Sequence, residues 1–130
     1  MILAGGFFGR LDVAPGPAEV VLRGTVAPDD FEAFNSGDRD AQSYDGFAVK
    51  LSLRGRFVTA YDLDGLGDSY LTGLAIDEAR DKLYVTGHYN ENRRRGGADL
   101  NNTSRTLPFE TEEGAQALIF TLGLDTLTLV

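Results

Sequence analysis

Lys82-Leu83-Tyr84-Val85-Thr86-Gly87-His88-Tyr89, which follows Tyr70-Leu71-Thr72-Gly73-Leu74-Ala75-Ile76-Asp77 across Glu78-Ala79-Arg80-Asp81, decides how this chain is read. The two runs are strands and the four residues between them are a turn, which makes a hairpin. A second hairpin lies upstream. In Asp45-Gly46-Phe47-Ala48-Val49-Lys50-Leu51-Ser52-Leu53, the residues Phe47, Val49, Leu51 and Leu53 recur at every second position, the pattern of a half-buried strand. Arg54-Gly55 then turns the chain back into Arg56-Phe57-Val58-Thr59-Ala60-Tyr61.

Outward from these hairpins, Ala117-Leu118-Ile119-Phe120-Thr121-Leu122 is a strand and Leu127-Thr128-Leu129-Val130 begins another. Met1–Phe8 is a short apolar strand broken by Gly5 and Gly6. Leu11 to Gly24 holds a turn, Ala14-Pro15-Gly16-Pro17, and a few extended residues at Glu19–Leu22. The segments 25–43 and 90–114 are polar insertions, and Asp62-Leu63-Asp64-Gly65-Leu66-Gly67-Asp68 is a turn rich in glycine and aspartate. The expectation is an all-β chain of about seven strands, with no helix longer than a turn or two.

Composition narrows the function classes. The 42% hydrophobic and 25% charged residues are near globular averages, so a folded chain is expected, and 130 residues suit one domain. A net charge of −8 without a basic stripe argues against a nucleic-acid backbone and an anionic membrane as partners. The chain lacks cysteine, which removes disulfides, thiolate metal sites and a cysteine nucleophile. Met1–Arg10 has no basic leader followed by a long apolar run, so a signal peptide is expected to lie outside this sequence if the protein is secreted. No stretch approaches the roughly 20 apolar residues of a membrane span, so membrane insertion is not expected.

The chain also repeats itself. Met1-Ile2-Leu3-Ala4-Gly5-Gly6-Phe7 aligns with Leu83-Tyr84-Val85-Thr86-Gly87-His88-Tyr89 at an offset of 82 residues. After an insertion in each case, Asp45–Leu51 aligns with Gln116–Leu122 at an offset of 71. Asp45-Gly46-Phe47-Ala48-Val49-Lys50-Leu51 with Gly55, and Gly73-Leu74-Ala75-Ile76-Asp77 with Leu83-Tyr84-Val85-Thr86-Gly87, resemble the signatures of the SBBP-type bacterial β-propeller repeats. Gly65-Leu66-Gly67-Asp68 stands where that family carries a glycine-rich turn. The resemblance is good over 44–89 and degenerate elsewhere. Glu78-Ala79-Arg80-Asp81 departs from the usual glycine-asparagine turn, and Ala115-Gln116 from the usual Gly-Asp pair.

The resemblance implies two antiparallel propeller blades within a single segment 1–130, blade one at about 1–61 and blade two at about 69–130. It implies an extracellular or cell-surface bacterial habit and no agreed catalytic residues. Two blades cannot close a ring, so the partners expected are further blades or further copies of the chain. In this reading blade one lacks its innermost strand. Met1–Phe8 is then expected to pair with a strand supplied from elsewhere, with Phe7 and Phe47 buried and Leu3→Pro breaking the joint.

Several residues invite a chemical reading, each with a plainer one beside it. Asp62, Asp64 and Asp68 resemble a calcium loop, or form an aspartate-rich turn between blades. Tyr89, with Tyr44, Tyr61, Tyr70 and Tyr84, suits a shelf for stacking sugars, or packs between strands. His88, the lone histidine, is a ligand-binding or acid–base candidate, or a strand-end surface residue. Arg93, Arg94 and Arg95 could grip an anion, or are solvated loop charges. Asn101 and Asn102 each begin an N-x-[ST] glycosylation sequon in a loop that bacterial origin would leave unmodified. The leading function is a non-catalytic structural or adhesive module that needs no cofactor. A glycan-binding module assisted by calcium is the alternative. A hydrolase comes third, since 20 acidic residues single out no catalytic pair.

Overall fold

Short runs of alternating apolar residues separated by glycine and aspartate turns leave antiparallel pairing as the way to satisfy the backbone. A computed structural model describes residues 1–24, 44–65, 68–90, 98–99 and 115–130. Its strands are β1 (Ile2–Phe8), β2 (Arg10–Asp12), β3 (Val21–Arg23), β4 (Tyr44–Leu51), β5 (Phe57–Gly65), β6 (Ser69–Asp77), β7 (Lys82–Asn90), β8 (Ala98–Asp99) and β9 (Ala115–Gly123). Every pairing among them is antiparallel. Sheet one has the order β1-β4-β5-β8, sheet two the order β6-β7-β9, and β2 pairs with β3 as a separate hairpin. The chain is therefore all-β, with one turn of 3-10 helix at Glu78–Arg80 among the described residues.

The two expected hairpins form as β4–β5 and β6–β7. The first turns at Ser52–Arg56, where Gly55 takes φ +75° and its N–H donates to the Ser52 carbonyl at 2.9 Å. The second turns through Glu78–Arg80: the Asp77 carboxylate accepts the Arg80 N–H at 3.1 Å, and Asp81 takes the left-handed position at φ 53°. Aspartate tolerates that conformation better than most residues, which explains how a turn without glycine works here.

Several expectations need correction. The strand in 45–53 stops at Leu51, and Leu53, placed at the turn tip, is 100% exposed. That strand is buried on both faces rather than one: Ala48 points into one core, while Val49 and Leu51 point into another. β5 continues to Gly65, so Asp62 and Asp64 belong to a paired strand and not to a turn, because the inward alternation runs on through Tyr61 and Leu63. Leu11–Gly24 holds a true hairpin, β2–β3. Among the described residues nine strands appear where about seven were expected, and β8 joins β5 although it lies in the second insertion. Leu127–Val130 forms no strand but is tied to β9 by a bridge from Leu129 to Leu122, and Leu127 is buried in the main core.

Two cores result. The main core lies between the sheets, with Ala48, Tyr61 and Leu63 from sheet one facing Leu71, Leu83, Val85, Tyr89, Leu118, Phe120 and Leu122 from sheet two. Burying a leucine of this kind is worth about 2–3 kcal/mol. The second core lies on the far face of sheet one, where Val13 and its neighbours Leu11, Val20 and Leu22 cover Val49, Leu51, Phe57 and Ala60. Phe7 is buried as expected, whereas Phe47 is only half-buried, edge-on to Phe7 at 6.1 Å.

The two long ladders share one register. Adding 82 to a β1 residue and 71 to its β4 partner turns each of the seven pairs, from Ile2↔Lys50 to Phe8↔Tyr44, into a β7–β9 pair, from Tyr84↔Thr121 to Asn90↔Ala115. The phase of the first ladder is set by Met1 and Leu51, which exchange N–H to C=O bonds at 2.9 and 2.8 Å. Odd-numbered β1 residues therefore bond to β4, and Ile2, Ala4, Gly6 and Phe8 turn their amides to the other edge. The Leu3 N–H thus serves β4, so Leu3→Pro would damage sheet one itself; Ala4 is the residue whose N–H addresses the open edge.

β6 bulges toward β7, its register slipping between Leu71 and Gly73. A Cβ at Gly87 would overlap the Tyr70 carbonyl oxygen, which is backbone and cannot rotate away. Gly87→Ala is therefore expected to cost about 1–3 kcal/mol, read as a lower urea midpoint. Gly5→Ala, whose Cβ would meet only the Phe47 ring at 3.2 Å, should cost much less. Equal midpoints for the two variants would contradict this account of the bulge.

Candidate functional site

The sequence candidates scatter. Tyr89 is fully buried in the main core, which corrects its reading as a surface shelf: its position on β7 points between the sheets, beside Val85 and Leu118. Tyr61 is also core and lies 5.5 Å from Phe120, while Tyr84 is on the outer face of sheet two. Asp62 is half-buried in β5 opposite Phe47, and Asp64 pairs with Asp99. Asp68 accepts the Tyr44 N–H at 2.9 Å. Asp62 and Asp64 of the calcium-loop reading lie on the paired strand β5, and residues 66–67, which separate them from Asp68, lie outside the described residues. Among the described residues no three His, Asp or Glu side chains gather as a metal ligand set. Arg93, Arg94, Arg95, Asn101 and Asn102 lie outside the described residues.

What the structure brings together is the seam between the sheets. Phe8 and Tyr44 have ring centroids 5.2 Å apart, Tyr44 and Tyr70 5.1 Å, and Tyr70 and His88 5.0 Å with planes 25° apart. These four rings form a continuous ladder from β1 and β4 of sheet one to β6 and β7 of sheet two. The rings are inclined to one another by 47°, 31° and 25°, and their contacts join the two sheets, with His88 as the last member of the ladder.

Beside the ladder, Ser69 is fully buried. Its Oγ accepts the Gly46 N–H at 2.8 Å and donates to the Leu63 carbonyl at 3.2 Å, so one hydroxyl joins β6 to β4 and β5. Glycines make room for this approach. A Cβ at Gly6 would overlap the Tyr70 ring, and one at Gly46 would stand 3.1 Å from Leu71 Cγ. At the other end of the seam, Lys50 Nζ donates to the Leu124 carbonyl and to Asp125, both at 2.8 Å. The exposed ion pair adds little, and the bond to the carbonyl supplies direction. Sequence reasoning passed over Ser69, Gly6 and Gly46; the paired glycines near strand ends were the available signal.

Burial raises the Tyr70 hydroxyl above its ordinary pKa, and the negative charge of Asp68 and the neighbouring Tyr44 push in the same direction. No helix of the described residues is long and apolar enough to cross a membrane. Comparison with models of known families, with curated proteins and with solved structures finds no match.

Two measurements follow from the seam. Ser69→Ala leaves a buried N–H and a buried C=O without their partner and should cost about 1–3 kcal/mol in a denaturant titration. An unchanged midpoint would show that the clamp contributes nothing. Tyr70 holds its proton more tightly in the folded chain than in the unfolded one. Its contribution to stability is therefore intact below pH 10.0, the ordinary value, and is lost as pH rises past it. Above that pH the parent's unfolding free energy should fall faster than that of Tyr70→Phe, and parallel curves would contradict the assignment.

Proposed function

We propose that this chain is a non-catalytic structural module of propeller type, acting outside the cell as a rigid platform that associates with further blades or copies and presents its insertions to a neighbouring surface. The observation that supports it best is the repeat of register combined with the way the two sheets meet. Sheet one offers Ile2, Ala4 and Ala48 to the main core. Their equivalents at the offsets of 82 and 71 are Tyr84, Thr86 and Ile119, which face outward from sheet two. The packing is thus head-to-tail: one face of a sheet meets the opposite face of the next, as in a stack of like units.

A head-to-tail stack leaves an uncovered face at its end. Ile119 is 79% exposed and Tyr84 39%, set among Ala75, Thr86, Ala117 and Thr121 with no charged residue between them. Such a face suits another apolar sheet better than water. The resemblance carries no catalytic residues with it.

Sedimentation across a range of concentrations tests this reading. The parent is expected to exceed its monomer mass of 14.1 kDa as concentration rises, and Ile119→Asp to return it to that mass without lowering its melting temperature. A parent that stays at the monomer mass and unfolds cooperatively would overturn the proposal.

A further inference from the structure

Gly5 on β1 and Gly87 on β7 are 82 residues apart and pair with equivalent partners, Phe47 and Leu118, yet their surroundings differ. At Gly87 a side chain is excluded by the bulged backbone of β6. At Gly5 a Cβ would meet only the Phe47 ring. β1 therefore carries the residue that a bulged neighbour requires, and among the described residues it has no strand on that side.

The rest of the edge matches. Tyr84, Thr86 and His88 are the β7 residues opposite Ala75, Gly73 and Tyr70 of β6, and their equivalents Ile2, Ala4 and Gly6 turn their amides to the open edge of β1. Leu83 and Val85 are fully buried beside Ile76 and Leu74, whereas their equivalents Met1 and Leu3 are 60% and 46% exposed. An apolar edge whose amides face no strand among the described residues is a template for another strand.

Resting on the repeat reading above, we infer that the open edge of β1 is a strand acceptor. Its partner is an antiparallel extended strand of the Ser69–Asp77 kind, supplied by a further repeat. In the register of β6 on β7, the incoming strand sets its Leu71 equivalent opposite Gly5 and its Gly73 equivalent opposite Ala4. The bulged residue lies between them. Its Leu74 and Ile76 equivalents then cover Leu3 and Met1. Main-chain bonds supply the affinity and the glycine supplies the selectivity for a bulged strand. β6 of a second copy is not the partner, because that edge of β6 is already bonded to β7.

The test uses the full chain, isotope-labelled, and a capped peptide of sequence SYLTGLAID, identical to Ser69–Asp77. Saturable binding is expected, with amide exchange at Ile2, Ala4 and Gly6 slowed at least about tenfold, while Leu3, Gly5 and Phe7, bonded to β4, keep their rates. Gly5→Val blocks the bulge and Ala4→Pro removes an edge N–H, so each should weaken binding at least about tenfold, with melting curves confirming that the variants fold. Failure to bind, equal binding of the reversed sequence, protection at the odd-numbered amides instead, or undiminished binding by folded Gly5→Val would overturn the inference. A chain that associates through Ile119 but ignores the peptide refutes strand acceptance alone. A chain that stays monomeric yet binds the peptide at this edge refutes only the association of sheet faces.

Discussion

The approach of the first residues of β6 to sheet one is the constraint on which the rest of the molecule depends. Ser69 sits in the main core with no exposed surface, and its hydroxyl is acceptable there only because Gly46 and Leu63 use both its hydrogen-bonding roles. That fixes the position of β6 along β4 and β5. Tyr70 then lies on Gly6 and Leu71 on Gly46, contacts that a larger residue at either glycine would push apart. With β6 in place, β7 and β9 follow by pairing, and their apolar side chains fall opposite Ala48, Tyr61 and Leu63. A polar contact worth about 1 kcal/mol in net terms thereby sets the register of a much larger apolar interface. The interface supplies the energy and the clamp supplies the alignment.

How much of this was legible in the sequence follows from the range of the interactions. Alternation and turn residues are local, so the β4–β5 and β6–β7 hairpins could be read directly, and so could the repeat that carries the common register. Leu53 was misread because alternation alone does not say where a strand stops; the bend at Gly55 does. β2–β3 was missed because its strands are three residues each and form by covering Val49 and Leu51, a tertiary gain with no periodic signal. Tyr89 and Tyr70 illustrate the same limit. One tyrosine is deep in the core and the other lies in the seam, and the composition of their strands does not separate them. Their depth depends on which face of β7 and β6 meets sheet one.

The distribution of cover around sheet one bears on how such units join. Its face toward sheet two is closed by the main core, and its far face is closed by β2–β3 over β4 and β5, the strands carrying Val49, Leu51, Phe57 and Ala60. The hairpin leaves Met1 and Leu3 of β1 exposed on that side. In sheet two β6 lies beside β7, where β1 has no strand among the described residues, and the outer face is exposed at Ile119 and Tyr84. Among the described residues the chain thus presents two different surfaces, the edge of β1 and the outer face of sheet two.

Those two surfaces make different physical demands. The edge of β1 asks for backbone groups in one phase and for a bulge at one position, so its selectivity is geometric and tolerant of side-chain identity away from Gly5. The outer face of sheet two asks for apolar knobs that fit around Tyr84 and Ile119. It also departs from sheet one at one point: His88 stands where Gly6 admits Tyr70. A third sheet seated as sheet two is seated on sheet one would bring its own Tyr70 equivalent onto that imidazole. On the stacked reading proposed above, a unit that follows would therefore meet an imidazole where sheet one presents a bare glycine. The aromatic ladder, which joins this pair of sheets, would on that reading also bear on what packs against them next.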